Sequence, residues 1–456
     1  MSPVRERVIV FGILAEIVFS ALAYGATTAW SGALFKIGAA ALMLVWVIKC
    51  IVDKRLHLNL PPTVWPIVAL LAVGLLQSLA LTDATGQRYS LSLDVEATRM
   101  TVSMLGSLLI LFLLSANFLN TPERLRLLVN VLVVYGMALA LFALVQQFTC
   151  ENCLYWVKAS TGSPFGPFPN RNHFAGYIEL LMPVPLAILT VRAAGKWSVM
   201  YAFAAVLTGI AAVMSLSRGG LLVLSVELVF VAIMSKRVHG RWRRQKHEEP
   251  RSMAHTGWLR FGPPVFVGLL ILAGVFWIGS APIGERLTRT MTDFNDPKAS
   301  FTDGRLWIWK NTVSLIKANP LLGVGIGAFP TAFTLYDQSN GLLEIGAAHN
   351  DYLQLVADAG LLGALLGLWF VIVVIRAIAR ATECKDRFLA GLALGAATGV
   401  IGILVHSLFD FNLQIPSNAL LFLVFVAVIS HLGTVANSDL QTSGATGATG
   451  RAGLRI

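Results

Sequence analysis

Apolar stretches recur along almost the whole chain, near 8–26, 33–52, 64–81, 101–118, 125–147, 173–191, 198–215, 219–235, 262–280, 355–378, 388–408 and 418–435. Each is close to the roughly 20 residues that a helix needs to cross a bilayer. In lipid every backbone N–H and C=O must be satisfied within the chain, and a helix does so locally. The pattern therefore predicts an all-α integral membrane protein with about 12 transmembrane helices. A soluble protein with a large core is excluded by composition. Of 456 residues, 56% are hydrophobic and 13% charged, where soluble domains run nearer 45–50% and about 25%. Arg5 and Arg7 precede the first apolar run without a convincing small-residue cleavage site, so that run is expected to stay as a span.

The formal net charge of +11 would suggest nucleic acid for a soluble chain; here it reads as a topology signal, with no nucleic-acid partner. With the N-terminus in the cytoplasm, the loops around Lys54 and Arg55, Arg124 to Arg126, Arg192 to Lys196, Lys236 to Arg260 and Arg376 to Arg387 are all cytoplasmic. About 23 Lys and Arg then lie inside and about 12 outside, six of these in one long loop, as the positive-inside rule requires. Both termini are expected in the cytoplasm. The basic run 236–251 is expected to meet anionic lipid. Residues 1–435 read as one polytopic membrane domain, and 436–456, rich in Gly, Ala, Ser and Thr, as a disordered tail. The segment 281–348, between spans 9 and 10, is long for a membrane-protein loop and reads as a mostly helical subdomain on the outer side. Within it, GRLWIWKNTVSLIKANP predicts a helix ended by Asn319 and Pro320. Cys150 and Cys153 fall in an outer loop as a local disulfide or two idle thiols, while Cys50 and Cys384 sit on the cytoplasmic side.

Five polar segments stand at or near the outer face under this topology: 164–177, 215–222, 303–311, 348–363 and 406–422. Ionisable residues beside a bilayer are costly unless they have a partner or a task. Arg218 sits in a Ser-Arg-Gly-Gly turn whose glycines permit close approach and open the next helix with free amide N–H groups, a suitable place for a phosphate. Lipid snorkelling is the plainer alternative. Arg305 could supply a second fork to the same anion, or a salt bridge to Asp303. His349 precedes an apolar helix that Asn350 or Asp351 could cap, and histidine is the residue type suited to general-base work near neutral pH. Arg171 and His173 could bind phosphate or acceptor, or cap and orient span six. His406 and Asp410 lie four apart and could share a helix face, in a structural role or supporting the site from behind. The Gly-x-Gly-x-Gly string in LLGVGIGAF (321–329) lacks a strand–helix–strand setting and reads as a packed turn. No metal constellation or serine or cysteine nucleophile is visible.

The segments SLSRGGLL, DGRLWIWKN through NPLLGVGIGAF, and AHNDYLQLVADAGLLG, in this order, resemble the O-antigen ligase and polymerase superfamily of bacterial membrane glycosyltransferases. The resemblance covers most of the chain and is densest over about 164–423. It implies a long periplasmic loop and transfer of a glycan from an undecaprenyl-diphosphate carrier at the periplasmic face of the inner membrane. Neither metal nor cofactor is implied. In the ligase branch the acceptor is lipid A–core; in the polymerase branch, for O-antigen or exopolysaccharide, it is another carrier-linked glycan. By the same resemblance His349 matches the family's essential histidine, and Arg218 and Arg305 its diphosphate-binding arginines. A transporter or flippase for a lipid-linked glycan is the rival of another class. It should place ionisable residues near the midplane in broken helices at repeated positions.

Overall fold

The computed structural model describes residues 2–56, 58–82, 86, 88–159, 162–245, 253–278, 305–337 and 345–449. Residues 281–304 and 338–344 of the long loop, the end of the basic run and 450–456 lie outside the described residues. Every predicted apolar stretch carries a helix: α1 Ser2–Leu22, α2 Ala29–Asp53, α3 Val64–Gln77, α4 Val95–Phe118, α5 Pro122–Thr149, α6 Arg171–Leu181, α7 Pro183–Thr190, α8 Ser198–Met214, α9 Arg218–Gln245 and α10 Met253–Ile278. The outer segment contributes α11 Arg305–Ala318 and α12 Phe329–Phe333, and the chain closes with α13 Asp351–Ala381, α14 Arg387–His406 and α15 Pro416–Thr449. Among the described residues, 8 helices are long and apolar enough to cross a membrane, and Val64–Gln77 and Gly262–Phe276 are shorter apolar helices. The chain is thus an all-α protein of multi-pass membrane type. The last helix runs on to Thr449.

The sixth apolar stretch is two helices rather than one, α6 and α7, meeting at Met182 and Pro183. This pair is the pillar of the bundle: 94% of its span is buried, against 17% for α13, whose flank is apolar and outward. α14 lies against the pillar along Gly391, Gly395 and Gly399. A Cβ at those positions would meet Ile188 Cα at 3.2 Å, Val184 Cα at 2.7 Å and Leu180 Cα at 3.1 Å. Small residues four apart let two backbones touch, and in lipid that close packing is a main source of helix association.

Two short hairpins sit at helix ends, β1 Ala80–Thr82 with β2 Arg88–Ser90, and β3 Cys153–Leu154 with β4 Val157–Lys158. Cys150 and Cys153 are joined in a disulfide, so the local pairing expected from the outer loop is present. The α11 helix ends at Ala318, just before Asn319 and Pro320.

The glycine string after α11 is a packed turn, docked where α13 breaks. Gly360 has φ +62° and ψ −152° inside that helix, a conformation essentially reserved for glycine. The break frees carbonyls and amides for the incoming strand of chain: Val324 N donates to Ala357 O at 2.9 Å, Gly325 N to Asp358 O at 3.0 Å, and Leu361 N to Pro320 O at 2.8 Å. From α3, Gln77 accepts from Ile326 N at 2.9 Å and donates to Leu322 O at 2.7 Å. A Cβ on Gly360 would lie 2.4 Å from the Leu321 carbonyl. Gly360→Ala is therefore expected to destabilise the protein by about 1–3 kcal/mol from backbone strain alone. A lowered thermal midpoint of the purified protein checks this; an unchanged midpoint would refute the docking.

Candidate active site

Where the outer segment rejoins the bundle, Asn350 caps α13, its Oδ1 accepting from Tyr352 N and Leu353 N at 3.0 Å each. Of the two residues expected as caps it is Asn350 that serves. Its Nδ2 donates to Leu408 O at 3.0 Å. Asp351, by contrast, ties α13 to the turn after α14: its carboxylate accepts from Ser407 Oγ at 2.8 Å and from Leu413 N at 3.2 Å. Just upstream, Ala348 O accepts from Trp309 Nε1 at 3.0 Å and Ala348 N donates to Gln354 Oε1 at 2.8 Å. His349, clamped between these anchors, has φ +49°, the left-handed region that costs a non-glycine residue free energy. Such a conformation persists only where neighbours over-determine it, and it is common at functional positions.

The imidazole of His349 points Nδ1 at Asp410 Oδ1, 3.3 Å away. Four donors converge on that carboxylate. Oδ1 faces His349 and accepts from Phe411 N at 2.9 Å; Oδ2 accepts from Arg305 Nη2 at 3.2 Å and from Asn172 Nδ2 at 2.7 Å. Arg305 opens α11 and Asn172 lies in the first turn of α6, so one carboxylate joins the outer segment, the pillar and the start of α13. Asp410 is 1% exposed, while Arg305 and His349 are 39% and 32% exposed. The acid is thus behind and the basic groups in front, and the site presents positive charge outward. Burial pushes the Asp410 carboxyl up, but the His349 hydrogen bond and the charges of His173, Arg305 and His349 prevail and hold it well below the usual carboxylate range.

Phe411 separates two imidazoles, its ring centroid 4.8 Å from His173 and 5.0 Å from His349. His173 is 7% exposed, and its backbone carbonyl accepts from Asn418 Nδ2 at 2.9 Å. Arg171 is the first residue of α6, its amide donating to Ser163 O at 2.7 Å.

Arg218 is exposed at the start of α9. The two glycines after it permit the close approach the sequence suggests, but toward the bundle interior, and the Gly220 amide is not free: it donates to Ser217 Oγ at 3.2 Å. A Cβ on Gly219 would be 2.7 Å from His406 Nε2, and one on Gly220 would be 2.9 Å from Ala175 Cβ and 3.2 Å from Glu179 Oε1. His406 in turn places Nδ1 3.0 Å and 2.9 Å from the two oxygens of Glu179. The expected shared helix face of His406 and Asp410 is not formed. α14 ends at His406, and Asp410 stands in the following turn, where its carboxylate meets both α11 and α6.

His349, Arg305, Asn350, Asp351 and Asp410 thus form one cluster, and the glycine after Arg218 packs on His406. Sequence reasoning missed Asn172 and Phe411, which carry no distinguishing local pattern, and Glu179, whose signal was an acid in the middle of an apolar span. Among the described residues the salt bridge of Arg305 is to Asp410, 105 residues away; Asp303, the partner expected from the sequence, lies outside the described residues. Residues 203–368 match the family model described as O-Antigen ligase, a stretch that includes Arg218, Arg305 and His349. No curated protein matches the chain.

Proposed function

The chain belongs to the O-antigen ligase-like superfamily, and from that premise we propose that it is an O-antigen ligase-like glycosyltransferase with His349 as general base. It moves a glycan from an undecaprenyl-diphosphate carrier to lipid A–core at the periplasmic face of the bacterial inner membrane. The twelve helical stretches cross that membrane, both termini are cytoplasmic, and the outer segment forms a periplasmic subdomain. The observation that carries this reading is the Asp410 junction, where one buried carboxylate holds a histidine and an arginine side by side at one end of the bundle.

Because Nδ1 of His349 faces Asp410, Nε2 is the nitrogen left to face an acceptor. The acceptor hydroxyl oxygen forms a bond to the anomeric carbon as its proton passes to His349 Nε2. The bond from that carbon to the carrier's phosphate oxygen breaks, and its electron pair leaves with the diphosphate. Direct displacement inverts the anomeric centre. A diphosphate is already a good leaving group, so electrostatic stabilisation by Arg218 and Arg305 suffices and no metal is required. The reacting groups lie together at one end of the bundle, which favours an enzyme over a transporter.

The deciding experiment reconstitutes the protein with carrier-linked glycan and lipid A–core, without added metal, and reads the glycan by gel shift. Transfer to lipid A–core supports the ligase. Longer carrier-linked chains without lipid A–core modification would replace it with a polymerase for O-antigen or exopolysaccharide. Movement of carrier across the liposome without transfer would replace both with a transporter. In the same assay Arg218→Lys is expected to lower transfer about tenfold, since an ammonium cannot reproduce a planar fork on a phosphate. Wild-type rates with lysine would remove Arg218 from donor binding.

A further inference from the structure

The Glu179–His406 pair takes no part in the bond changes above, yet it packs on the glycines that follow Arg218 and leads along the chain to Asp410, which holds Arg305. We propose that this buried pair is a positioning device that sets the separation of Arg218 and Arg305, and so makes the site prefer a diphosphate to a single phosphate. The proposal rests on the reading of these arginines as the donor's diphosphate ligands.

Both side chains are 1% exposed. An ionisable pair inside a bundle is costly to desolvate, and its best-attested use is to specify one arrangement among several of similar stability. Two paths lead outward from it. Along the chain, Asp410 N donates to His406 O at 3.0 Å, and the Asp410 carboxylate accepts from Arg305 at 3.2 Å. Through space, the ring edge of His406 abuts Gly219 and the Glu179 carboxylate abuts Gly220, the two residues after Arg218.

Within the Arg218 turn, Gly220 N donates to Ser217 Oγ at 3.2 Å and Ser217 N to Ser215 Oγ at 3.3 Å. Its Leu216 is left-handed at φ +55°, so the turn needs an external seat to keep its shape. Glu179 also belongs to α6, the helix whose Asn172 holds the other side of Asp410 at 2.7 Å. Moving the pair would therefore shift the start of α9 relative to the Asp410 turn. A diphosphate presents two anionic groups at a fixed spacing, so two guanidinium groups at a matched spacing read both, whereas a monophosphate engages one.

The test measures binding of undecaprenyl diphosphate and undecaprenyl monophosphate to the full chain in nanodiscs. Wild type is expected to favour the diphosphate. In Glu179→Gln and His406→Gln that preference should fall about tenfold, the equivalent of one charge-assisted hydrogen bond, with monophosphate binding nearly unchanged. Gly219→Ala, which pushes on the His406 ring without removing a charge, should act in the same direction and decides the matter if the buried variants fail to fold. An unaltered preference in folded variants would overturn the positioning role. Absence of a preference in wild type would instead overturn the diphosphate reading of the arginines.

Discussion

His349→Ala is expected to lower glycan turnover about 10²–10⁴-fold, the usual contribution of a general base, while donor binding stays near its wild-type level. The asymmetry follows from the site. Arg305 keeps its bond to Asp410 without the imidazole, and Asp410 keeps Asn172 and Phe411 N as partners. The donor's ligands should therefore survive the substitution, and only removal of the acceptor proton is lost. Turnover and donor KM, measured together on reconstituted protein, separate the two. Near-normal turnover in a folded variant would end the base assignment. A large rise in donor KM at constant turnover would make His349 a donor ligand instead.

Asp410→Asn should impair both quantities, turnover by about 10–100-fold, as loss of a supporting carboxylate behind a functional histidine commonly does, and donor KM upward as well. Four donors, from Asn172, Arg305, His349 and Phe411, meet the two oxygens of Asp410. An amide offers one acceptor oxygen, and its own N–H groups would face other donors. Leaving buried polar groups unpaired costs more than the bonds were worth. The sign of the pH effect is also set. The folded carboxyl lies below its ordinary range, so its stabilisation is complete above the usual aspartate value of about 3.9 and is lost as pH falls through the lower folded value. Wild-type kinetics in Asp410→Asn would show that the junction is not what aligns His349 and Arg305.

Much of this protein is local, and the sequence states it. Hydropathy over about twenty residues marks apolar helices: each predicted stretch carries a helix, and among the described residues 8 helices are long and apolar enough to cross a membrane. The end of α11 before Asn319 and Pro320 and the capping of α13 by Asn350 are equally local, since a proline or a side-chain cap acts within one turn. The segments that resemble the superfamily could be recognised for the same reason, because each is a short contiguous string. The meeting of those strings was decided only by tertiary packing. Asn172, Arg305 and His349 reach Asp410 from 238, 105 and 61 residues away, and Glu179 meets His406 across 227. No period or motif encodes such pairs. They depend on how closely α14 lies on the pillar, which its glycines permit, and on the break at Gly360 that receives the outer segment. Helix formation is a property of neighbours along the chain, whereas the site is a property of surfaces that touch only after the helices have packed.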